Sequence, residues 1–512
     1  MADTTTTTTV YQAIEADRFT GRAVMSTSID PKTPDNVITI LNTMLPTFNK
    51  NVEEMEKLRR YYGGAQDILW REKDIRPKIN NKTVVNYALM ITDFWKGHTV
   101  GEGVPYVQRS AKSEADAKAI ADNIATLNDY MHVQCKRAMD IDLMEDVLIT
   151  GQGYRIILAN ASMDKVSAEE DQVPFRMGRL EPQETFIVYS TDFTKAPVMA
   201  VVRKELSVIT EGSAQVDSIV AAASKANTDY HYGVYTKDKY YLFITNTNNY
   251  INPNTKPDET KPNGLGVIPI VEYYLNKSRL GIFEPILTLQ DAANEGISDR
   301  HNALEQFVQA YWKFAGCRID MDKYEAFLKK GAIMVPPNAA GETSRIDIDL
   351  VTKELNQAQT QILTDYEDAK IYEITATPQN KASAGGNTGT ALEISQGWIK
   401  TDTASDTVEG QFQRAETEML KVLLRIPAVR KSLKGLKVAN VDIHFSRNKT
   451  SNLLVKTQAL INQLTAGVHP EKAFKVIGLY KDSADVYEAS RPFLKKWDFV
   501  AAPIKIEETD EI

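Results

Sequence analysis

The strongest constraint on this chain is residues 351–426, which read as a helix, a glycine-containing loop and a second helix. Leu355, Ala358, Ile362, Tyr366, Ala369 and Tyr372 recur three and four positions apart, so a helix over 352–375 carries them on one packing face. Lys, Glu, Gln and Asp take the opposite face. Pro378 stops this helix, because it has no N–H to donate and disfavours helical geometry at Thr377. Residues 379–387 (Gln-Asn-Lys-Ala-Ser-Ala-Gly-Gly-Asn) are small and polar, without an apolar anchor. Thr390 and Glu393 make a capping box that restarts a helix at Ala391, striped by Ile394, Trp398, Val408, Phe412, Ala415, Met419 and Val422. Its polar middle, 400–407, predicts a kink or an exposed stretch, and Pro427 ends it. Two long helices flanking an unanchored loop project that loop into a space. The alternative for the loop alone is an ordinary flexible connection.

With 512 residues, several modules can each bury a core. The threonine run near the start has no basic or apolar segment of a signal peptide, and residues 1–28 read as a disordered arm. No stretch of the chain is apolar for long enough to span a membrane. A helix over 35–62 carries Val37, Leu41, Leu45, Phe48, Val52, Met55 and Leu58, with Pro46 kinking or splitting it. Asn80-Asn81-Lys82 opens a helix through Val84, Val85, Ala88, Ile91 and Trp95. An edge strand at 104–107 and helices over 113–131 and 134–149 follow. Strands at 154–158, 185–189, 198–206, 230–236 and 239–245, with an exposed loop at 246–264, complete an α+β module.

A second long helix runs from Glu284 to about Trp312, with Ile286, Leu289, Ala293, Ile297, Leu304, Phe307 and Tyr311 on one face. Between it and the helix at 352 lies a small insert with strands at 314–319, 332–335 and 345–350 and a helix at 322–330. That is a stalk carrying a tip. A short strand at 438–445, helices from 452 to about 496 and an acidic tail, Glu507–Glu511, close the chain. The fold class is α+β, mainly helical.

There is no Gly-x-x-x-x-Gly-Lys-Ser/Thr phosphate loop, no His-Glu-x-x-His and no Gly-x-Ser-x-Gly. The six histidines are scattered, and Cys135 and Cys317 read as two separate reduced thiols. Asp347 and Asp349 alternate on a strand, as one half of a two-metal nuclease site would, or as a solvated strand face. No catalytic residue, cofactor or metal is assigned. A net charge of −8 argues against a chain that grips nucleic acid through phosphate neutralisation, which needs clustered Lys and Arg, but not against one past which DNA slides.

In order and spacing, several stretches resemble the portal proteins of long-tailed bacteriophages of Gram-positive hosts. They are 61–71 (YYGGAQDILWR), 80–106, 140–158, 266–300, 378–392 (PQNKASAGGNTGTAL) and 451–488. The resemblance implies a wing over 29–278 with a strand at 437–450, stem helices at 279–312 and 351–376, and a clip at 313–350. It further implies a tunnel loop at 377–389, a long kinked helix at 390–436, a helical crown at 451–500 and a loose tail at 501–512. By the same resemblance, Gln379, Asn380, Lys381, Ala382, Ser383, Ala384, Gly385, Gly386, Asn387 and Thr388 face DNA. Arg318, Asp320, Arg345, Asp347 and Asp349 lie on the clip interface. The implied assembly is a ring, typically of twelve subunits, at the capsid portal vertex, formed in the host cytoplasm. Its implied partners are double-stranded phage DNA, the terminase large subunit, a head-tail adaptor, and the major capsid and scaffolding proteins. The alternatives are a neck adaptor ring and a metal-dependent nucleic-acid-processing enzyme.

Overall fold

The computed structural model describes residues 21–74, 77–109, 114–160, 173–207, 228–308, 311–315, 347–351, 357–379, 397–445 and 453–477, with positions 486, 487 and 490. In chain order the first elements are β1 (Met25–Thr27), α1 (Pro34–Tyr62), α2 (Tyr87–Val100), β2 (Tyr106–Gln108), α3 (Glu114–Val133) and α4 (Lys136–Thr150). Strands follow: β3 (Gln152–Ala159), β4 (Phe175–Leu180), β5 (Thr185–Ser190), β6 (Pro197–Ser207), β7 (Thr228–Thr236), β8 (Lys239–Thr245), β9 (Glu259–Pro262) and β10 (Ile270–Tyr274). Then come α5 (Leu287–Val308), β11 (Tyr311–Ala315), β12 (Asp347–Val351), α6 (Gln357–Ile374) and α7 (Trp398–Leu423). The last are α8 (Pro427–Ser432), β13 (Val441–Ile443), α9 (Leu453–Thr465) and α10 (Pro470–Ile477).

Alternation along the strands builds a layered module. A six-stranded sheet has the order β1-β5-β6-β7-β8-β9, and a three-stranded sheet has the order β10-β3-β4. Phe186, Val188, Met199 and Val201 point to α1 and pack on Val37, Leu41, Leu45 and Phe48. Their neighbours Ile187 and Ala200 point the other way, onto Tyr154 and Ile270 of the smaller sheet and Ile268 just before it. Thr33 caps α1, accepting a hydrogen bond from the Asn36 N–H at 3.3 Å, and Pro34 begins it. Pro46 does not split the helix. Leu45 and Phe48 on either side of it are fully buried, each worth about 1.5–3 kcal/mol, which offsets the lost backbone bond.

Residues 21–28, assigned to a disordered arm, are placed in the fold. Arg22 is buried in an ion pair with Glu284, and β1 lies parallel to β5 with Met25 opposite Val188. The threonine run at 4–9 dominates the composition of this stretch and hides a short edge strand from a compositional reading.

The helix expected to open at Asn80 starts at Tyr87, with Asn86 as its cap. Residues before it are extended because α5 offers them a ladder of side chains. Asn302 accepts from the Asn81 N–H at 2.7 Å, Ser298 from Thr83 at 2.9 Å and Asn294 from Val85 at 2.8 Å. Two extended residues advance about 6.6 Å and four helical residues about 6.0 Å, so the two spacings keep step over three rungs. Asn294, Ser298 and Asn302 are buried, so the inward face of α5 is largely polar. The apolar stripe read for this helix splits accordingly: Ile286 and Ala293 are buried, while Leu304 is half exposed. Tyr311, assigned to the same helix, begins β11 instead, in an aromatic run suited to a strand.

Asn294→Ala removes one rung and leaves the half-buried Val85 N–H unpaired. A loss of about 1–3 kcal/mol in urea-unfolding stability is expected. Amide exchange at Val85 should accelerate about tenfold or more, while exchange in the six-stranded sheet stays unchanged.

Candidate functional site

The two ends that flank residues 380–396 are bonded to each other and to α2. α6 ends at Ile374 through a paired-hydrogen-bond cap: Thr377 N–H donates to the Tyr372 carbonyl at 3.0 Å and Ala376 N–H to that of Glu373 at 3.4 Å. Ala376 takes a left-handed conformation, φ 51°, to make this turn, and Pro378 follows it. The buried Trp95 of α2 donates its indole N–H to the Thr375 carbonyl at 3.1 Å and to Thr377 Oγ1 at 3.3 Å. The returning helix is tied to the same turn. Thr401 Oγ1 donates to the Ala376 carbonyl at 2.7 Å, and Lys400 Nζ to the Glu373 carbonyl. Trp398, at the start of α7, meets Phe94 and His98 of α2 with ring centroids 6.0 and 5.9 Å away. Both ends of the segment 380–396 are therefore fastened to α2 and to each other.

Gly397, φ 85°, forms the N-terminal boundary of α7. The helix expected to run on from Ala391 is thus interrupted at this residue, because a left-handed residue cannot continue a right-handed helix. The kink expected at 400–407 is absent, whereas the expected exposure holds in part: Lys400, Thr403, Asp406 and Thr407 are exposed. α7 is unbroken there, and Thr401 and Ser405 are fully buried with their hydroxyls donating to carbonyls. A polar side chain that bonds to backbone within reach is as compatible with burial as an apolar one.

Further along α7, Glu416 enters a closed set of charges. Lys136 and Asp140 come from α4 and Arg155 from β3; all four groups are buried. Lys136 Nζ lies 2.6 Å from Asp140 Oδ2 and 3.4 Å from Glu416 Oε2. Arg155 bridges Asp140 and Glu416 from the other side. Tyr106 and Tyr273 donate their hydroxyls to Glu416 at 2.6 and 2.8 Å. Burial pushes the Glu416 carboxyl up, but Lys136, Arg155 and the two phenols outweigh it and hold the group well below the usual glutamate range. Burial and the Glu416 charge push the Tyr106 phenol well above its ordinary value. Two cations balance two anions with no route to water, an arrangement that fixes a helix against a sheet.

A family model described as phage portal protein, SPP1 Gp6-like, matches residues 41–477. The chain belongs to this family of phage portal proteins. No curated protein matches it. The bonded ends of α6 and α7 and the buried charge cluster on α7 are the candidate site of this portal protein.

The residues singled out from sequence divide unevenly. Gln379 is half buried at the loop base, whereas Asn380, Lys381, Ala382, Ser383, Ala384, Gly385, Gly386, Asn387 and Thr388 lie outside the described residues. So do Arg318, Asp320 and Arg345. Asp347 and Asp349 lie on β12, which pairs antiparallel with β11 so that Asp347 faces Ala315 and Asp349 faces Lys313. Among the described residues no three His, Cys, Asp or Glu side chains gather as a metal site. Sequence reading missed the Lys136–Asp140–Arg155–Glu416 cluster. Its one local signal was the Lys136/Asp140 spacing of four on a helix.

Proposed function

We propose that this portal protein assembles head-to-tail into a closed ring at one capsid vertex and conducts the genome during packaging and ejection. The family membership supports this, and one observation of the chain carries it. On α6, Ile362, Leu363 and Tyr366 are 68%, 54% and 58% exposed. Of the stripe read as a packing face, Ile362 and Tyr366 are exposed while Ala369 and Tyr372 are half buried, and among the described side chains of α6 the buried ones are Glu367 and Ile371. Such a helix calls for a neighbour, and a heterologous contact repeated around an axis closes a ring.

In this reading α5 and α6 are the stem, the β11–β12 ribbon belongs to the clip, and the layered module is the wing. The segment 379–388 faces the duplex, with its base fastened so that only the loop itself yields to passing DNA. The clip receives the terminase large subunit and then the head-tail adaptor. The major capsid and scaffolding proteins surround the ring at the vertex, in the host cytoplasm during assembly and then in the virion. The chain supplies no catalysis and requires no cofactor.

Light scattering and negative-stain microscopy of the purified full chain test the ring directly: about a dozen copies around a central hole is the expected particle. Deleting 381–387 should leave that particle intact while reducing packaged or retained DNA severalfold. Full packaging by the deletion would remove DNA contact from the loop.

A further inference from the structure

One part of the surface contradicts the acidic character of the chain. Between Glu418 and Asp442 there is no acidic residue, while Lys421, Arg425, Arg430, Lys431, Lys434 and Lys437 all fall there. All six are exposed. Lys421 pairs with Glu418, and the other five have no ion pair among the described residues. The backbone explains why they share a surface. Ile426, Val429, Leu433 and Leu436 are buried anchors three and four positions apart, which turn the intervening side chains outward. Asn123 of α3 donates to the Lys434 carbonyl at 3.1 Å, and Tyr130 and Ser432 share a hydrogen bond of 2.7 Å. Gly435 adopts φ 78° between Lys434 and Lys437, a turn that a side-chain-bearing residue resists. Lys421 and Arg109 also line an adjoining groove of about 540 Å³, in whose wall Asp442 is the acidic residue.

We infer that the surface formed by Lys421, Arg425, Arg430, Lys431, Lys434 and Lys437 binds the phosphate backbone of duplex DNA without regard to sequence. Exposed cations spread over this turn, most of them lysines, suit the repeated point charges of a phosphate backbone. The choice of DNA as the polyanion rests on the conduit reading. The chain's own acidic tail, Glu507–Glu511, is the competing occupant.

The test uses the assembled full-length protein and a fluorescent duplex of about 30 base pairs and random sequence, titrated between about 50 and 200 mM salt. The parent should show log affinity falling linearly with log salt. The triple variant R430Q/K431Q/K434Q should bind at least about tenfold more weakly at low salt, with a slope shallower by nearly one for each cation removed. A control triple, K50Q/K195Q/K277Q, changes net charge equally at exposed lysines elsewhere and should bind like the parent. Unchanged binding by the first triple, or equal weakening by both, overturns the assignment. Binding by the parent only after residues 501–512 are removed assigns the surface to the tail and also overturns it. Microscopy of the same samples separates the two levels: rings without an effect at this surface count against the surface alone, and absence of rings counts against the conduit.

Discussion

Glu416→Gln is expected to lower the stability of the fold by about 3–5 kcal/mol. The amide keeps the shape but leaves Lys136 and Arg155 with Asp140 as their sole anion, inside a site that water does not reach. Urea unfolding at neutral pH measures the loss. Adding Lys136→Met to the same chain restores the balance of charge, and the double variant should recover most of the lost stability. A recovery below about 0.5 kcal/mol would mean that the four groups act independently. Acid titration gives a second reading. Because the folded state holds the Glu416 carboxyl below its unfolded value, its contribution is fully present above the ordinary glutamate range, about 4.3. It is lost as pH falls through the lower, folded value. The Glu416→Gln variant lacks that contribution, so its stability should fall less steeply between neutral and strongly acidic pH than that of the parent.

Ile362→Asp combined with Tyr366→Asp should abolish the ring while leaving each subunit folded. Both side chains stand in water on the isolated chain, so their replacement removes no intrachain core. In a ring each would be covered by a neighbour, contributing about 1.5–3 kcal/mol per side chain. A carboxylate in the same place must be desolvated or excluded. Scattering mass should fall to that of a single chain with an unchanged far-ultraviolet spectrum. Rings that persist in the double variant would show that this face of α6 looks onto solvent or another partner.

These two experiments bear on opposite kinds of legibility. The end of α6 could be read from Pro378, and the strands β5 to β8 from alternation, because local chemistry and the period of the backbone determine such features. The stripe of Ile362 and Tyr366 was readable as one face, but periodicity identifies a shared face without saying what covers it. On α5 the signal was weaker still. Its inward residues Asn294, Ser298 and Asn302 are polar, and their burial depends on an extended segment more than two hundred positions earlier.

By itself the sequence determined the span of α1, the strands β5 to β8 and the end of α6 at Pro378. It also carried enough ordered resemblance to indicate the portal family. Only the tertiary structure decided that Glu416 meets Arg155, that Trp95 fastens the loop base, and that the basic turn after α7 is held outward. Each of these joins elements distant in the chain, and the energy of a buried charge or an orphaned carbonyl depends on what surrounds it in space.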